Sequence, residues 1–328
     1  MRAIFATESP LDTSVDAIRS TAMNIPPRFK NSVRNYVFQF HARLVDQSFP
    51  APALFALIGP PGEGKSTMVS DVLSGMGVPV KRLSASALGG MYEGDSTTPI
   101  IDAYLTLGSR EDLLPAPAIV LDDFDLSAAR VDQRNAGTIN QSLLNGLLMN
   151  IADKPDQVTK SYVDEAGTSK SRTFDVKPVM IILTANDGTQ IYPPLLRPGR
   201  ALVSEWRATP DDMAEMLAGI FPSLSESERR GLVARFPDAA IAFFNQINSE
   251  MVRSRLESAT SAVADHALSN KAAMLSLVRE LQSARRNLSF GDVLARANSL
   301  WATRSAITNH IVSAGGRNHA HSGYSRQA

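Results

Sequence analysis

Gly59-Pro-Pro-Gly-Glu-Gly-Lys-Ser66 matches the pattern G-x-x-x-x-G-K-[ST] at every fixed position. It sits between an apolar run, Ala53–Ile58, and a helix-compatible stretch, Thr67–Leu73. That order constrains the fold strongly, because the pattern requires a buried strand, a tight glycine-rich loop and a helix in succession. Glycines let backbone N–H groups close around anionic oxygens, and the helix N-terminus adds partial positive charge. Gly59, Pro60, Pro61, Gly62, Glu63, Gly64, Lys65, Ser66 and Thr67 are therefore the expected cradle for the phosphates of a nucleotide. Lys65 is expected at the β/γ-phosphates and Ser66 on Mg²⁺.

The remaining core signals agree with a parallel sheet covered on both faces. Val78–Leu83, Ala118–Leu121 and Val179–Thr184 are short apolar runs separated by helical segments. A helix is expected over Asn140–Ala152, with Leu143, Leu144, Leu147, Leu148 and Ile151 on one face. Val33, Val37, Phe40 and Leu44 mark an earlier helix within residues 1–50. The polar stretch Lys154–Lys177 predicts an exposed hairpin or loop. Beyond Thr209 the pattern turns helical over Asp211–Ile220, Glu226–Arg235, Ala239–Leu256, Ser258–Arg286 and Phe290–His310. The expected organisation is an N-terminal helical segment (1–50), an α/β nucleotide-binding domain (51–208), an α-helical lid with C-terminal helices (209–312) and a disordered tail (313–328).

Composition narrows the chemistry. With 33 basic and 33 acidic residues the formal charge is zero, which argues against bulk attraction to nucleic acid or an anionic membrane. Lys81-Arg82 and Arg285-Arg286 remain as local basic pairs for a nucleic-acid-linked alternative of the helicase or clamp-loader type. There is no cysteine, so disulfides, thiolate metal sites and a cysteine nucleophile are excluded. The five histidines are scattered. No apolar run approaches the roughly 20 residues needed to span a bilayer. The early acids Glu8, Asp12 and Asp16 fit neither a secretory nor a transit peptide, so the cytoplasm, in a bacterial or phage-borne system, is the expected location.

Acids and amides at strand ends supply further candidates. Ala118–Asp125 ends in Asp122-Asp123-Phe-Asp125. Asp122 is expected to orient Mg²⁺ through water, and Asp123 to polarise the attacking water. Aspartate at 123 is shorter than the usual glutamate, which leaves a nucleotide-gated scaffold with little hydrolysis open as a further alternative. Thr184-Ala-Asn-Asp187 ends the next strand, where ligands of open α/β sheets bind, so Asn186 is a γ-phosphate or water contact. Leu195-Leu-Arg-Pro-Gly-Arg200 projects Arg197 and Arg200 from a turn, where they could reach a neighbouring subunit's γ-phosphate. Leu88–Asp95 is a glycine-flanked segment that presents Met91 and Tyr92 as a binding loop.

Taken together, these segments resemble the AAA+ ATPase superfamily, and within it the rubisco activases of the green (plant and cyanobacterial) type. Leu147–Asp153, Thr184–Asp187, Tyr192–Arg200, Trp206, Ala208-Thr-Pro210, Gly219-Ile-Phe221, Arg235-Phe-Pro237 and Ile241-Ala-Phe-Phe244 carry the likeness. The resemblance implies an AAA+ P-loop NTPase of α/β class, a parallel sheet flanked by helices and followed by a helical lid, with ATP between the two. It implies ATP hydrolysis with Mg²⁺ in a homo-oligomeric, hexameric ring. Asn186 would then be the first sensor, Arg197 and Arg200 trans-acting arginines, and Met91 and Tyr92 the pore loop that works on a protein client. Rubisco is one candidate client, with release of inhibitory sugar phosphates as the outcome. The chain departs from activases in its Asp122-Asp123 pair and its Met91-Tyr92-Glu93-Gly94 segment. It also carries Asn248 and Glu250 where the family has its second-sensor arginines, with Arg253 or Arg255 as substitutes.

Overall fold

In the computed structural model, the described residues are 23–84, 88, 96–128, 137–163, 168–260, 270–285 and 287–303. They divide into two compact units, one spanning Ile25–Ala208 and the other taking in Thr209 onward. Among them, no helix is long and apolar enough to cross a membrane.

The first unit is built on a five-stranded parallel sheet. Its strands are β1 (Leu54–Ile58), β2 (Val80–Ser84), β3 (Ala118–Asp122), β6 (Met180–Ala185) and β7 (Ala201–Glu205), in the spatial order β2-β3-β6-β1-β7. β3 and β6 are buried along their whole length and β1 along all but its last residue. Such strands need apolar side chains on both faces, which is why they are legible as continuous apolar runs. The edge strands differ: β2 buries only Leu83 and β7 only Ala201. β2 begins two residues later than Val78, beyond Pro79, which has no N–H for the ladder. β7 runs buried, half-buried, exposed, half-buried, exposed along its length, and no element is expected there from the sequence.

Helices α1 (Pro27–Val45), α2 (Lys65–Gly75), α3 (Thr98–Gly108), α4 (Phe124–Ala128) and α5 (Gly137–Asp153) accompany the sheet. α1 buries Phe29, Val33, Tyr36, Val37 and Phe40; Leu44 is only partly covered. Tyr36 stacks on Phe55 of β1 at 4.9 Å and donates its hydroxyl to Ala53 O at 2.8 Å. The polar segment after α5 is a two-stranded antiparallel hairpin, β4 (Gln157–Val163) with β5 (Ser169–Asp175). Val158 is its buried anchor, and Lys160 reaches Asp102 of α3 at 2.6 Å.

The second unit is helical: α6 (Pro210–Ile220), α7 (Glu226–Arg235), α8 (Ile241–Thr260), α9 (Lys271–Arg285) and α10 (290–303). Thr209 with Asp212 and Ser225 with Glu228 form capping boxes at the starts of α6 and α7. Phe236, Phe243, Phe244 and Trp301 pack with ring centroids 5.1–5.5 Å apart. The expected tail, 313–328, lies outside the described residues.

Candidate functional site

The phosphate loop leaves β1 and enters α2. Gly62 and Gly64 hold left-handed φ values of 77° and 74°, which side chains disfavour. Gly64 is the N-cap of α2 and offers no side-chain cap, so the first helical N–H groups face the loop. Gly59 has a different constraint: a Cβ there would lie 1.9 Å from Trp206 O. Trp206 donates its backbone N–H to Ile58 O at 2.7 Å, and Phe29 packs edge-on against its ring at 4.9 Å. Glu63 accepts from Ala208 N at 2.8 Å. The loop is thus tethered to the chain that follows β7. Glu63, expected among the phosphate-cradle residues, spends its carboxylate on that tether. Thr67 is exposed on the first turn of α2.

Lys65 is buried, and its ammonium donates to Gly59 O at 2.6 Å, Pro60 O at 2.8 Å and Asn186 Oδ1 at 2.9 Å. Burial lowers its pKa, while Glu63, Asp123 and Asp125 oppose that shift. Asn186 also donates from Nδ2 to Asp123 Oδ1 at 3.4 Å. Asp123 is exposed and holds φ at 50°, a left-handed conformation that aspartate tolerates better than most residues. It is the only non-glycine residue among those described that does so. Such strain clusters at functional sites. Lys65, Asn186 and Asp123 therefore form one connected row, and they come from three different elements.

A second row runs beside it. Thr184, fully buried at the end of β6, places its hydroxyl 3.1 Å from Ser66 Oγ. It donates to Asp122 Oδ1 at 3.2 Å and accepts from Asp123 N at 3.2 Å. Sequence reasoning passed over Thr184; the only signal was a hydroxyl in an otherwise apolar strand. Asp125 was likewise read only as part of an acidic run. It is buried, and its Oδ2 accepts from Asn186 N at 3.0 Å and Asp187 N at 3.1 Å. It fixes the backbone that presents Asn186.

Thr184→Val keeps the shape and removes the hydroxyl. It is expected to lower stability by about 1–3 kcal/mol, because Asp123 N and Asp122 Oδ1 lose a buried partner. Thermal melting against Thr184→Ser, which keeps the hydroxyl, checks this. Equal melting of Thr184→Val and wild type would remove the hydroxyl's bridging role.

The arginine turn is split. Arg200 is held within the chain: Nε and Nη2 donate to the two oxygens of Asp153 at 2.7 Å each, and Nη1 donates to Pro194 O at 3.1 Å. These bonds keep the Asp153 carboxyl below its usual pKa. Arg197 is exposed and forms no ion pair among the described residues. Met91 and Tyr92 lie outside the described residues. In the helical unit, Arg253 pairs with Glu250 at 2.7 Å.

The donor set suits Mg²⁺ only in a particular way. No group of three or more His, Asp or Glu able to hold a metal occurs among the described residues. Ser66 and Asp122, bridged by Thr184, would supply at most two ligands. That fits a cation that keeps several waters and is completed by phosphate oxygens.

A sheet of this order, with a phosphate loop after β1 and acids and an amide at the ends of β3 and β6, defines a P-loop nucleotide-binding domain. Residues 55–207 match the model of the ATPase family associated with various cellular activities (AAA), and they form an AAA ATPase domain. The chain is also a distant relative of the rubisco activases. It is 29% identical over 230 residues to ribulose bisphosphate carboxylase/oxygenase activase of Nostoc sp., covering 69% of this chain and 53% of that protein. It is 29% identical over 204 residues to the chloroplastic activase of Vigna radiata var. radiata, covering 61% and 44%. The chain therefore spans about half the length of these relatives.

Proposed function

We propose that this chain hydrolyses ATP with Mg²⁺ as a ring of identical subunits and uses turnover to remodel a protein client. The observation that carries the reading is the pair of connected rows, Lys65–Asn186–Asp123 and Ser66–Thr184–Asp122. Cation, hydroxyl, acid and amide stand together at the carboxyl ends of adjacent strands.

Each residue has a distinct task in this reading. Lys65 and the first N–H groups of α2 hold phosphate oxygens. Mg²⁺, when bound beside Ser66 and Asp122, supplies charge to those oxygens. Asp123 accepts a hydrogen bond from the attacking water, and Asn186 holds the Asp123 carboxylate in place. Catalysis is then positioning and charge stabilisation. Arg197 reaches across to a neighbouring subunit's γ-phosphate, while Arg200 fixes the turn that presents it. Met91 and Tyr92 contact the client in the ring's centre. The distant likeness to rubisco activases makes rubisco the first client to test.

A site completed by a neighbour's arginine requires assembly. ATPase activity per subunit is expected to rise at least tenfold over the concentration range in which mass measurement shows rings forming. Activity that is independent of concentration would overturn the shared-site reading. ATP binding with negligible turnover at every concentration would assign a nucleotide-gated scaffold instead.

A further inference from the structure

Both oxygens of Asp122 are engaged within the chain. Oδ1 takes the Thr184 hydroxyl. Oδ2 takes two donors from one arginine: Nε of Arg82 at 3.0 Å, and Nη2 of the same guanidinium. The sheet register explains the meeting. Arg82 of β2 pairs with Val120 of β3, and Ser84 pairs with Asp122. Residues two apart share a face, so Arg82 and Asp122 lie on one face, on a diagonal between neighbouring strands.

The two partners differ in freedom. The Asp122 side chain is 12% exposed, whereas that of Arg82 is 50% exposed and stands on an edge strand. Arg82 can swing into solvent without opening the core. Asp122 is fixed by Thr184, which also touches Ser66. A cation bound beside Ser66 and Asp122, directly or through a water, meets the Arg82 charge at the same carboxylate.

We propose that Arg82 is a displaceable counter-charge on the metal-side carboxylate, and that it sets the Mg²⁺ concentration at which the nucleotide site loads. This rests on the ATP–Mg²⁺ reading above. Arg82 stabilises Asp122 until the divalent ion arrives, and the ion must displace it. Removing the positive charge then favours the ion.

The test is Mg²⁺ titration of the full chain with mant-ATP, a fluorescent ATP analogue, starting in EDTA. Arg82→Met is expected to lower the half-saturating Mg²⁺ concentration about three- to tenfold. Arg82→Lys, which keeps the charge, should stay near wild type. Arg82→Gln is a second neutral variant should the methionine variant fail to fold. An unchanged or raised half-saturation in the neutral variants would overturn the proposal. So would an equal fall in Arg82→Lys, since charge would not then be the cause. Binding of mant-ATP that ignores Mg²⁺ in wild type would overturn it too while sparing the phosphate loop. Wild type that fails to bind mant-ATP at all would sink the nucleotide reading itself.

Discussion

Lys65→Ala is expected to weaken ATP binding at least a hundredfold, roughly 2.7 kcal/mol. The ammonium is fixed by three acceptors, two of them carbonyls of the phosphate loop itself. Three acids, Glu63, Asp123 and Asp125, also act on its charge. Without it those carboxylates and the polyphosphate lose the ammonium charge between them, so removal weakens the attraction for phosphate. Lys65→Arg should rescue little, because a planar fork cannot reproduce a compact ammonium against two converging carbonyls. Equilibrium binding of mant-ATP, with melting curves to show that the variants fold, checks this. An affinity within threefold of wild type for Lys65→Ala would overturn the phosphate-loop assignment.

Arg197→Ala is expected to retain ATP binding and lose hydrolysis on the order of a thousandfold, the scale on which an arginine supplied in trans stabilises charge at a transferring phosphoryl group. Arg200→Ala should act differently. Arg200 joins the C-terminal end of α5 to the turn through two hydrogen bonds to Asp153. Its loss should disorder the turn and reduce hydrolysis less than Arg197→Ala does. Asp153→Asn should reproduce the Arg200→Ala effect, and the double variant should be no worse than either alone, because one interaction is being removed twice. Mixing Arg197→Ala subunits with Asp123→Asn subunits should restore activity at interfaces where an intact acid meets an intact arginine. No recovery on mixing would exclude action in trans. Full activity in Arg197→Ala with loss in Arg200→Ala would exchange the two roles.

The phosphate loop was legible because its demands are local. Left-handed backbone at Gly62 and Gly64, a lysine at the start of α2 and a preceding buried strand are consecutive in the chain. β3 and β6 were legible because burial on both faces forces a continuous apolar run. The same logic explains why β7 was silent: on the sheet edge, Ala-Leu-Val-Ser-Glu does not satisfy that pattern. Helix starts at Thr209 and Ser225 were written in their capping residues, which act within three positions.

The site's connections were not local. Thr184 lies 62 residues from Asp122 and 118 from Ser66, and only the pairing of β6 with β1 and β3 brings them together. Arg82 read as half of a basic pair that could meet nucleic acid, until the register of β2 against β3 set it on Asp122. Arg197 and Arg200 looked equivalent in a Pro-Gly turn; Asp153, 47 residues before Arg200, separates them. The sequence alone determined that an α/β nucleotide-binding unit precedes a helical one, because burial pattern and backbone conformation are properties of neighbouring residues. The tertiary structure decided which polar groups meet and which arginine is held, because a hydrogen bond depends on angstrom-scale positions set by strand register rather than by residue type.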